Sequence, residues 1–149
     1  MISKILVPSD GSKTAQRAAG YAVDLAKQLK AEVIALSIID KRSLISQTVP
    51  AKETVKNVIE PIGDYLRDAA EEYVGAIKKR CDKDGVMSKT VITAGHPVEG
   101  ILKEAARAKA DLIIMGSHGK SALAAAVIGS VTYGVIHKDT KIPVLIVRR

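Results

Sequence analysis

The fold of this 149-residue chain is decided by its opening stretch, Ile2-Ser3-Lys4-Ile5-Leu6-Val7-Pro8-Ser9-Asp10-Gly11-Ser12. The apolar run from Ile2 to Pro8 is followed at once by turn-forming residues, which predicts a buried strand. Ser12 can cap the helix that follows, in which apolar residues recur at helical spacing as far as Leu29. A second apolar strand, Glu32 to Ile39, completes a unit that implies parallel strands joined by a right-handed crossover.

The rest of the chain repeats this alternation of strands and helices. Further strands are predicted at Met87–Ala94, Asp111–Met115 and Pro143–Val147. Further helices are predicted at Ile62–Asp84, at Pro97–Lys109, with proline at the first helical position, and at Ser130–Lys138. We therefore expect residues 1–149 to form a single α/β domain, a Rossmann-like parallel sheet of five strands in the order 3-2-1-4-5 with helices on both faces.

Two segments do not fit this alternation. Asp40–Lys56 is polar and without a clear period, which predicts a long loop or a mobile insertion, and Pro61 predicts a kink or a restart of helical structure. No pattern assigns a role to Lys41–Pro61, which either folds over the site or is disordered. The apolar stretch Leu123–Ile128 predicts a short packed helix or a partner contact.

Composition excludes several classes of protein. The hydrophobic fraction of 47% is ordinary for a globular domain. Since Cys81 is the one cysteine, no internal disulfide can form, and a passive helix residue is favoured over a reactive thiol. No apolar run is long enough for a signal peptide or a membrane span, so the predicted location is cytoplasmic, away from membranes.

The net charge of +7 does not indicate a nucleic-acid partner. Lysine and arginine are scattered along the chain, and four tyrosines without phenylalanine or tryptophan offer few platforms for stacking bases. We expect scattered, solvated lysines and no nucleic-acid binding.

Two glycine segments follow the fourth strand: Gly116-Ser117-His118-Gly119-Lys120-Ser121 and Gly129-Ser130-Val131-Thr132. Glycines let the backbone approach a ligand, and successive N–H groups at a helix start favour phosphate. The segment Gly119-Lys120-Ser121 resembles the end of a Walker A loop, but position 114 is Ile rather than Gly, so that interpretation fails on spacing. No second histidine lies near His118 in sequence, so we expect it to line the site rather than to catalyse.

Asp10, after the first strand, is predicted to lie at the same crevice. In a doubly wound sheet, ligands bind beyond the carboxyl ends of the strands where strand order reverses, and strands one and four end there. A carboxylate at this position can bind a ribose hydroxyl or share Mg²⁺ with phosphates. The alternative is that Asp10 only shapes a turn.

Four ordered landmarks make the chain resemble the universal stress protein family over nearly its whole length. They are Ile5–Ser12, Ile113–Gly119, the spacing of Gly116, Gly119 and Gly129-Ser130, and Pro143–Val147. The glycine spacing resembles that of the family's ATP-binding branch.

The resemblance implies a role for each matched position. Pro8 and Asp10 would line the nucleotide, Ile38 would meet adenine through its backbone, and Met115 and Gly116 would lie beside the ribose. The phosphates would be held by Gly119, Gly129, Ser130, Val131 and Thr132. Ser117, His118, Lys120 and Ser121 belong to the same loop. The ligand would be ATP, ADP or AMP with Mg²⁺ or Mn²⁺, and Val144–Val147 would pair two copies into a homodimer.

The function expected from this resemblance is that of an ATP-binding regulator or molecular switch in the stress response, with at most slow hydrolysis. The sequence offers no paired carboxylates and no obvious base to orient water. A dedicated enzyme is therefore not expected, although weak ATPase activity is compatible with the pattern. The alternative is a nucleotide-processing enzyme, either an ATPase or one of the adenine nucleotide α-hydrolase type.

Overall fold

The computed structural model describes residues 1–40, 52–120, 128–138 and 141–148, and in residues 52–61 it describes the backbone alone. The strands are β1 (Lys4–Pro8), β2 (Glu32–Ile39), β3 (Ser88–Ala94), β4 (Leu112–Gly116) and β5 (Val144–Val147). The helices are α1 (Lys13–Leu29), α2 (Lys52–Asp84), α3 (Pro97–Ala108) and α4 (Ser130–His137). The strands form one sheet in the order β3-β2-β1-β4-β5, and every pairing is parallel. This confirms the predicted fold class and strand order.

The main difference from the sequence prediction lies in α2. This helix begins at Lys52 rather than at Ile62 and continues through Pro61, so the loop predicted for Asp40–Lys56 is wrong over residues 52–56, and no restart occurs after the proline. Residues 52–60 are rich in lysine and glutamate, which favour helix, and Val55, Val58 and Ile59 carry the helical spacing of apolar residues back beyond Pro61. Residues 41–51 lie outside the described part of the chain.

The central strand β1 places a crevice at one edge of the sheet. It pairs with β2 from Lys4↔Glu32 to Pro8↔Leu36, but with β4 only at Ile5↔Leu112 and Leu6↔Ile113. From β1 the chain crosses to β2 and then β3 on one side of the sheet, and from β3 it returns to β4 and then β5 on the other side. The carboxyl ends of β1 and β4 therefore mark the point where strand order reverses and where such sheets bind ligands.

Among the described elements, two helices cover each face of the sheet. Ile5 and Val7 of β1 are fully buried in a cluster with α1 and α2, whereas Leu6 lies in a second cluster with Val98 of α3 and Val135 of α4. This alternation along β1 is the consequence of a strand that is buried on both faces. The α1 side and the α3–α4 side of the sheet are thus separate environments.

The helix ends follow local chemistry. The side chains of Ser12 and His96 accept hydrogen bonds from the backbones of Ala15 and Val98, each at 3.2 Å, and so cap α1 and α3. Gly85 follows α2 with a φ of +70°, as expected of a C-cap glycine. Helices α1 and α3 end instead on Lys30 and Lys109, whose φ values of 56° and 54° are left-handed.

Cys81 is completely buried between α1, α2 and the sheet. Burial raises the pKa of its thiol, and the nearby carboxylates of Asp82 and Asp84 raise it further, while the Ser88 hydroxyl acts in the opposite direction. A thiol with a raised pKa and no exposure is a poor nucleophile, so the structure favours the passive role. None of the helices in the described ranges is both long and apolar enough to cross a membrane.

Candidate functional site

Asp10 joins the loop after β1 to the loop after β4. One oxygen of its exposed carboxylate accepts the backbone N–H of Ser12 at 2.9 Å, and the other accepts the backbone N–H of Lys120 at 3.1 Å. A Cβ placed on Gly119 would lie 2.7 Å from the second of these oxygens. The carboxylate therefore fixes the relative position of the two loops. The interpretation of Asp10 as a residue that only shapes a turn did not include this link.

Gly116 allows β4 to end directly against α1. A Cβ at this position would lie 2.9 Å from the carbonyl carbon of Thr14 and 3.0 Å from its oxygen. The Thr14 hydroxyl also donates a hydrogen bond to the carbonyl oxygen of His118. The first glycine segment is thus held on one side by the N-terminal turn of α1.

The second glycine segment packs on the other side of the same loop. The Gly129 N–H donates to the carbonyl oxygen of Ser117 at 2.7 Å. A Cβ on Gly129 would lie 3.2 Å from the Cα of His118 and 3.3 Å from the backbone nitrogen of Gly119. The structure therefore brings together the two glycine segments that the sequence analysis singled out.

The N-terminus of α4 carries no side-chain cap. Gly129 is the N-cap residue and has no side chain to satisfy the first N–H groups. Ser130 is exposed and Val131 half-buried, whereas the Thr132 hydroxyl is buried and donates to the carbonyl oxygen of Gly116 at 2.8 Å. The Thr132 side chain therefore fastens α4 to β4. The N–H groups of this turn have the chemistry that binds phosphate.

His118 is held inside the glycine loop. Its side chain is only 8% exposed, and its Nδ1 lies 2.7 Å from the Oγ of Ser117. Its buried Nε2 has no hydrogen-bond partner within the described ranges. This arrangement agrees with a lining residue and does not provide an exposed catalytic base.

Lys120 is directed by a residue that the sequence analysis did not select. Its ammonium donates a hydrogen bond to the hydroxyl of Tyr73 on α2 and lies 4.6 Å from the centre of that ring. The same ring covers Gly11, where a Cβ would come within 2.2 Å of it. The hydrogen bond to Tyr73 raises the pKa of Lys120, against the smaller effect of desolvation. Helical spacing identified Tyr73 only as a core-facing residue, and nothing in the sequence links it to position 120.

The backbone of Ile38 faces the crevice. The carbonyl oxygen of the next residue, Ile39, accepts the N–H of Gly95 on the β3 side at 3.0 Å, so the groups of Ile38 point to the β1 side. There the pairing with β1 ends at Pro8↔Leu36. The Ile38 side chain turns away and packs against α3, so close to Gly100 that a Cβ there would lie 2.6 Å from it. The Met115 side chain is likewise buried under α3 and α4, which leaves only its backbone near the crevice.

The predicted positions thus gather around one edge of the sheet, from Pro8, Asp10 and Ile38 through Met115–Lys120 to Gly129–Thr132. Ser121 and residues 122–127 lie outside the described part of the chain, and Ile128 is 46% exposed. No group of three acidic, histidine or cysteine side chains that could hold a metal ion occurs among the described residues. The roles of the individual positions remain predictions.

Comparison with known proteins gives a match to the universal stress protein family over residues 1–148. Universal stress protein MJ0577 of Methanocaldococcus jannaschii is 39% identical over 158 aligned positions, which cover 100% of this chain and 96% of that protein. Universal stress protein MJ0531 of the same organism is 34% identical over 149 positions, covering 100% of this chain and 84% of that protein.

Comparison with solved structures leads to the same family. The structure of MJ0577 superposes with a TM-score of 0.84 at 36% identity, covering 100% of this chain and 97% of that one. A universal stress protein in complex with cAMP superposes with a TM-score of 0.64 at 26% identity, covering 99% and 97% of the two chains. The chain is therefore similar, over its whole length, both to a protein of the same fold and to one that holds a cyclic adenine nucleotide.

Proposed function

Because the chain belongs to the universal stress protein family, we propose that it binds an adenine nucleotide, and specifically ATP, across the crevice between β1 and β4. The bound nucleotide sets the state of a regulator in the stress response, and hydrolysis is slow at most. A relative of the same family that holds cAMP supports an adenine nucleotide as the class of ligand.

The observation that carries this proposal is the uncapped N-terminus of α4 beside Gly119. Gly129 contributes no side chain to cap the helix, and its Cα lies so close to the 117–119 backbone that a Cβ would meet it. Free N–H groups and the helix dipole favour an anion at this point. The phosphates would be held by Gly119 and by the N–H groups of Ser130, Val131 and Thr132, with Gly129 beside them, its own N–H bound to Ser117, and the Ser130 hydroxyl as a further donor.

The adenosine half would lie over the carboxyl ends of β1 and β2. There the backbone N–H and carbonyl groups of Ile38 face the crevice and match the donor and acceptor edge of adenine. Pro8 would border the base, and the backbone of Met115 and Gly116 would lie beside the ribose. The Ile38 side chain, packed against Gly100, keeps β2 in the position that this contact requires.

A divalent cation fits the site only as an ion carried by the phosphates. Mg²⁺ prefers oxygen ligands and commonly uses one or two carboxylates together with phosphate and water. Asp10 is the carboxylate at the crevice, and each of its oxygens already accepts a backbone N–H, which leaves further lone pairs for a cation. Asp10 would therefore supply at most part of the coordination, and the bound Mg²⁺ or Mn²⁺ would neutralise phosphate charge.

The described residues support binding rather than turnover. An attacking water needs a base within hydrogen-bond reach, but the Nδ1 of His118 is engaged by Ser117 and its ring is buried. The carboxylate of Asp10 is held by two N–H groups. These arrangements favour a nucleotide-dependent switch over the alternative of a dedicated nucleotide-processing enzyme.

A homodimer through β5 forms part of the same proposal. Strand β5, Val144–Val147, lies at the edge of the sheet and pairs with β4 alone among the described strands. Its four apolar residues are all half-buried. An apolar edge strand favours pairing with another strand, and a second copy joined by two-fold symmetry would satisfy it. We also propose a cytoplasmic location, which is the one predicted from the sequence.

The deciding experiment is release of the bound ligand. Purified protein is denatured and the released small molecules are separated by chromatography, and the apo protein is then titrated with ATP, ADP, AMP, cAMP and GTP while its melting temperature is followed. We expect ATP or ADP in the released fraction and a rise in melting temperature with ATP. A clean apo protein whose melting temperature ignores every adenine nucleotide would refute the proposal. Fast phosphate release under saturating ATP would favour the enzyme.

A further inference from the structure

A second pocket lies on the α1 side of the glycine loop. It has a volume of about 470 Å³ and is bounded by the first turns of α1 and by residues 118–120. Three of the lining residues carry positive charge and none carries a carboxylate; the seven are Ser12, Lys13, Thr14, Arg17, His118, Gly119 and Lys120. The pocket therefore presents cations and hydroxyls without a matching acid in its own wall.

This pocket and the proposed phosphate position at α4 share one loop, which α1 and α4 contact at different residues. Thr14 of α1 contacts the loop at Gly116 and His118, whereas Gly129, at the start of α4, contacts it at Ser117 and Gly119. Helices α1 and α4 pack in the separate clusters on the two faces of the sheet. A ligand beside α1 and a phosphate at the N-terminus of α4 would thus be divided by the 117–119 backbone.

The positive side chains of the pocket form no ion pair within the described ranges, although, besides the hydrogen bond to Tyr73, the nearby carboxylate of Asp10 helps to raise the pKa of Lys120. Elsewhere on α1 and α2 some cations are paired, as Lys27 is with Asp84 at 3.7 Å and Arg80 with Asp24 at 3.3 Å. For Lys13, Arg17 and Lys120, no carboxylate of the described residues lies within ion-pair distance. The partner of the Lys120 ammonium is the uncharged hydroxyl of Tyr73.

His118 places a buried polar atom, unpartnered within the described part of the chain, behind the wall of the pocket. It lines the pocket, its side chain is more than nine-tenths buried, and its Nε2 lacks a hydrogen-bond partner among the described residues. A buried polar atom without a partner costs stability, and such atoms in native proteins commonly bind water, an ion or a ligand.

From these observations we propose that the pocket between α1 and residues 118–120 binds a small phosphate-bearing anion in addition to the nucleotide. Lys13 and Arg17 would contribute charge from α1, Lys120 from the loop, and Ser12 and Thr14 their hydroxyls. Since both ligands contact the same loop, occupancy of the pocket would alter the affinity of the crevice. That the pocket is a site separate from the nucleotide crevice rests on the proposed function. The phosphate could also be the end of the bound nucleotide itself, and the experiment separates these sources.

The test is titration calorimetry of inorganic pyrophosphate into the full chain, alone and saturated with ATP in the presence of EDTA. We expect pyrophosphate to bind the ATP-saturated protein. The variants Arg17→Gln and Lys13→Gln should each weaken pyrophosphate roughly fivefold, the effect of losing one charged contact at an exposed site, and leave ATP affinity within about twofold. The matched control is Lys103→Gln, which removes an exposed cation from α3 on the opposite face and should leave pyrophosphate affinity unchanged.

The outcomes distinguish the two proposals. One-for-one competition between pyrophosphate and ATP would mean a single site and would overturn the proposal of a separate anion pocket. Absence of pyrophosphate binding, or an equal loss in Lys103→Gln, would also overturn it, the latter by showing a general effect of net charge. If ATP fails to bind while Arg17→Gln still weakens pyrophosphate, the nucleotide proposal fails and the basic pocket stands.

Discussion

Gly129 donates a 2.7 Å hydrogen bond to Ser117, and through it the start of α4 rests directly on the backbone of the loop after β4. The contact is tight for any side chain, since a Cβ on Gly129 would lie 3.2–3.4 Å from three backbone atoms of residues 117–119, which would have to shift slightly. Close backbone packing of this kind keeps the N–H groups of the two segments on one surface. The glycine is needed for proximity, because its φ of −61° is open to any residue.

Replacement of Gly129 by valine should strongly weaken nucleotide binding. The branched side chain meets backbone that cannot rotate away, so either the loop or α4 must move and the surface that faces the phosphates is lost. We expect the ATP dissociation constant to rise by at least about tenfold, equivalent to about 1.4 kcal/mol. Titration calorimetry measures the change.

The matched control for this variant is Gly75→Val. A Cβ on Gly75 of α2 meets nothing within 4 Å, so the same substitution should leave ATP affinity unchanged there. An unaltered dissociation constant in Gly129→Val would mean that the phosphate position is assigned wrongly.

Gly116→Ala should destabilise the whole fold. Its Cβ would press on the carbonyl group of Thr14, which is backbone, and overpacking of this kind costs about 1–3 kcal/mol. Urea unfolding should show a lower midpoint with an unchanged slope. Gly75→Ala, with open space around the new methyl group, should instead stabilise by up to ~1 kcal/mol through helix propensity. Equal stability of the two variants would contradict the close approach of α1 to β4.

Tyr73→Phe should loosen the glycine loop while keeping the aromatic ring over Gly11. The variant loses the hydrogen bond from Lys120, which is exposed, so the stability loss should be below ~1 kcal/mol. The bond raises the pKa of Lys120. It therefore stabilises the folded protein fully at pH values below the unfolded-state pKa of this lysine, and this stabilisation is lost as pH rises through the folded-state pKa. The difference between wild type and variant should therefore shrink in strongly alkaline solution. Thermal melts of both proteins from neutral to alkaline pH would reveal it, and a constant difference would contradict this role.

Asp111→Asn should reduce the loss of folding stability that occurs between neutral and acid pH. The Asp111 carboxylate accepts hydrogen bonds from the backbone and hydroxyl of Ser3 and from the backbone of Lys4, at 2.8–3.0 Å, and these bonds lower its pKa. Its contribution is present above the ordinary pKa of a carboxyl group and disappears as pH falls through the lowered one. Urea midpoints at pH 7 and pH 3 should differ less in the variant than in wild type. Asp68→Asn, at an exposed position on α2, is the control and should retain the wild-type difference.

The order of elements follows from hydrophobic patterning because buried parallel strands are continuous apolar runs. Glu32–Ile39 is predicted with both ends correct, since apolar residues continue right to the turn. The start of α2 is missed because Pro61 is taken as a break in the helix, although Val55, Val58 and Ile59 already show helical spacing before it.

For the candidate site, the sequence predicts which backbone segments meet but not which side chains link them. Glycine spacing indicates that Gly116, Gly119 and Gly129 come together, because glycine marks close approach. The contact of Tyr73 with Lys120 joins residues 47 positions apart on different elements, and it depends on how α2 lies across α1. The inward turn of the Thr132 hydroxyl depends in the same way on the packing of α4 against β4.

The lysines that terminate α1 and α3 have a consequence for how the chain can change over generations. Lys30 and Lys109 adopt the left-handed conformation that favours glycine or asparagine, although their charge suits a helix C-terminus. Any lysine codon becomes an asparagine codon by one base change. Both positions also lie at the ends of the helices that lead away from the crevice edge. A single base change at either position could therefore make the end of that helix more rigid. No residue that faces the ligand would be altered.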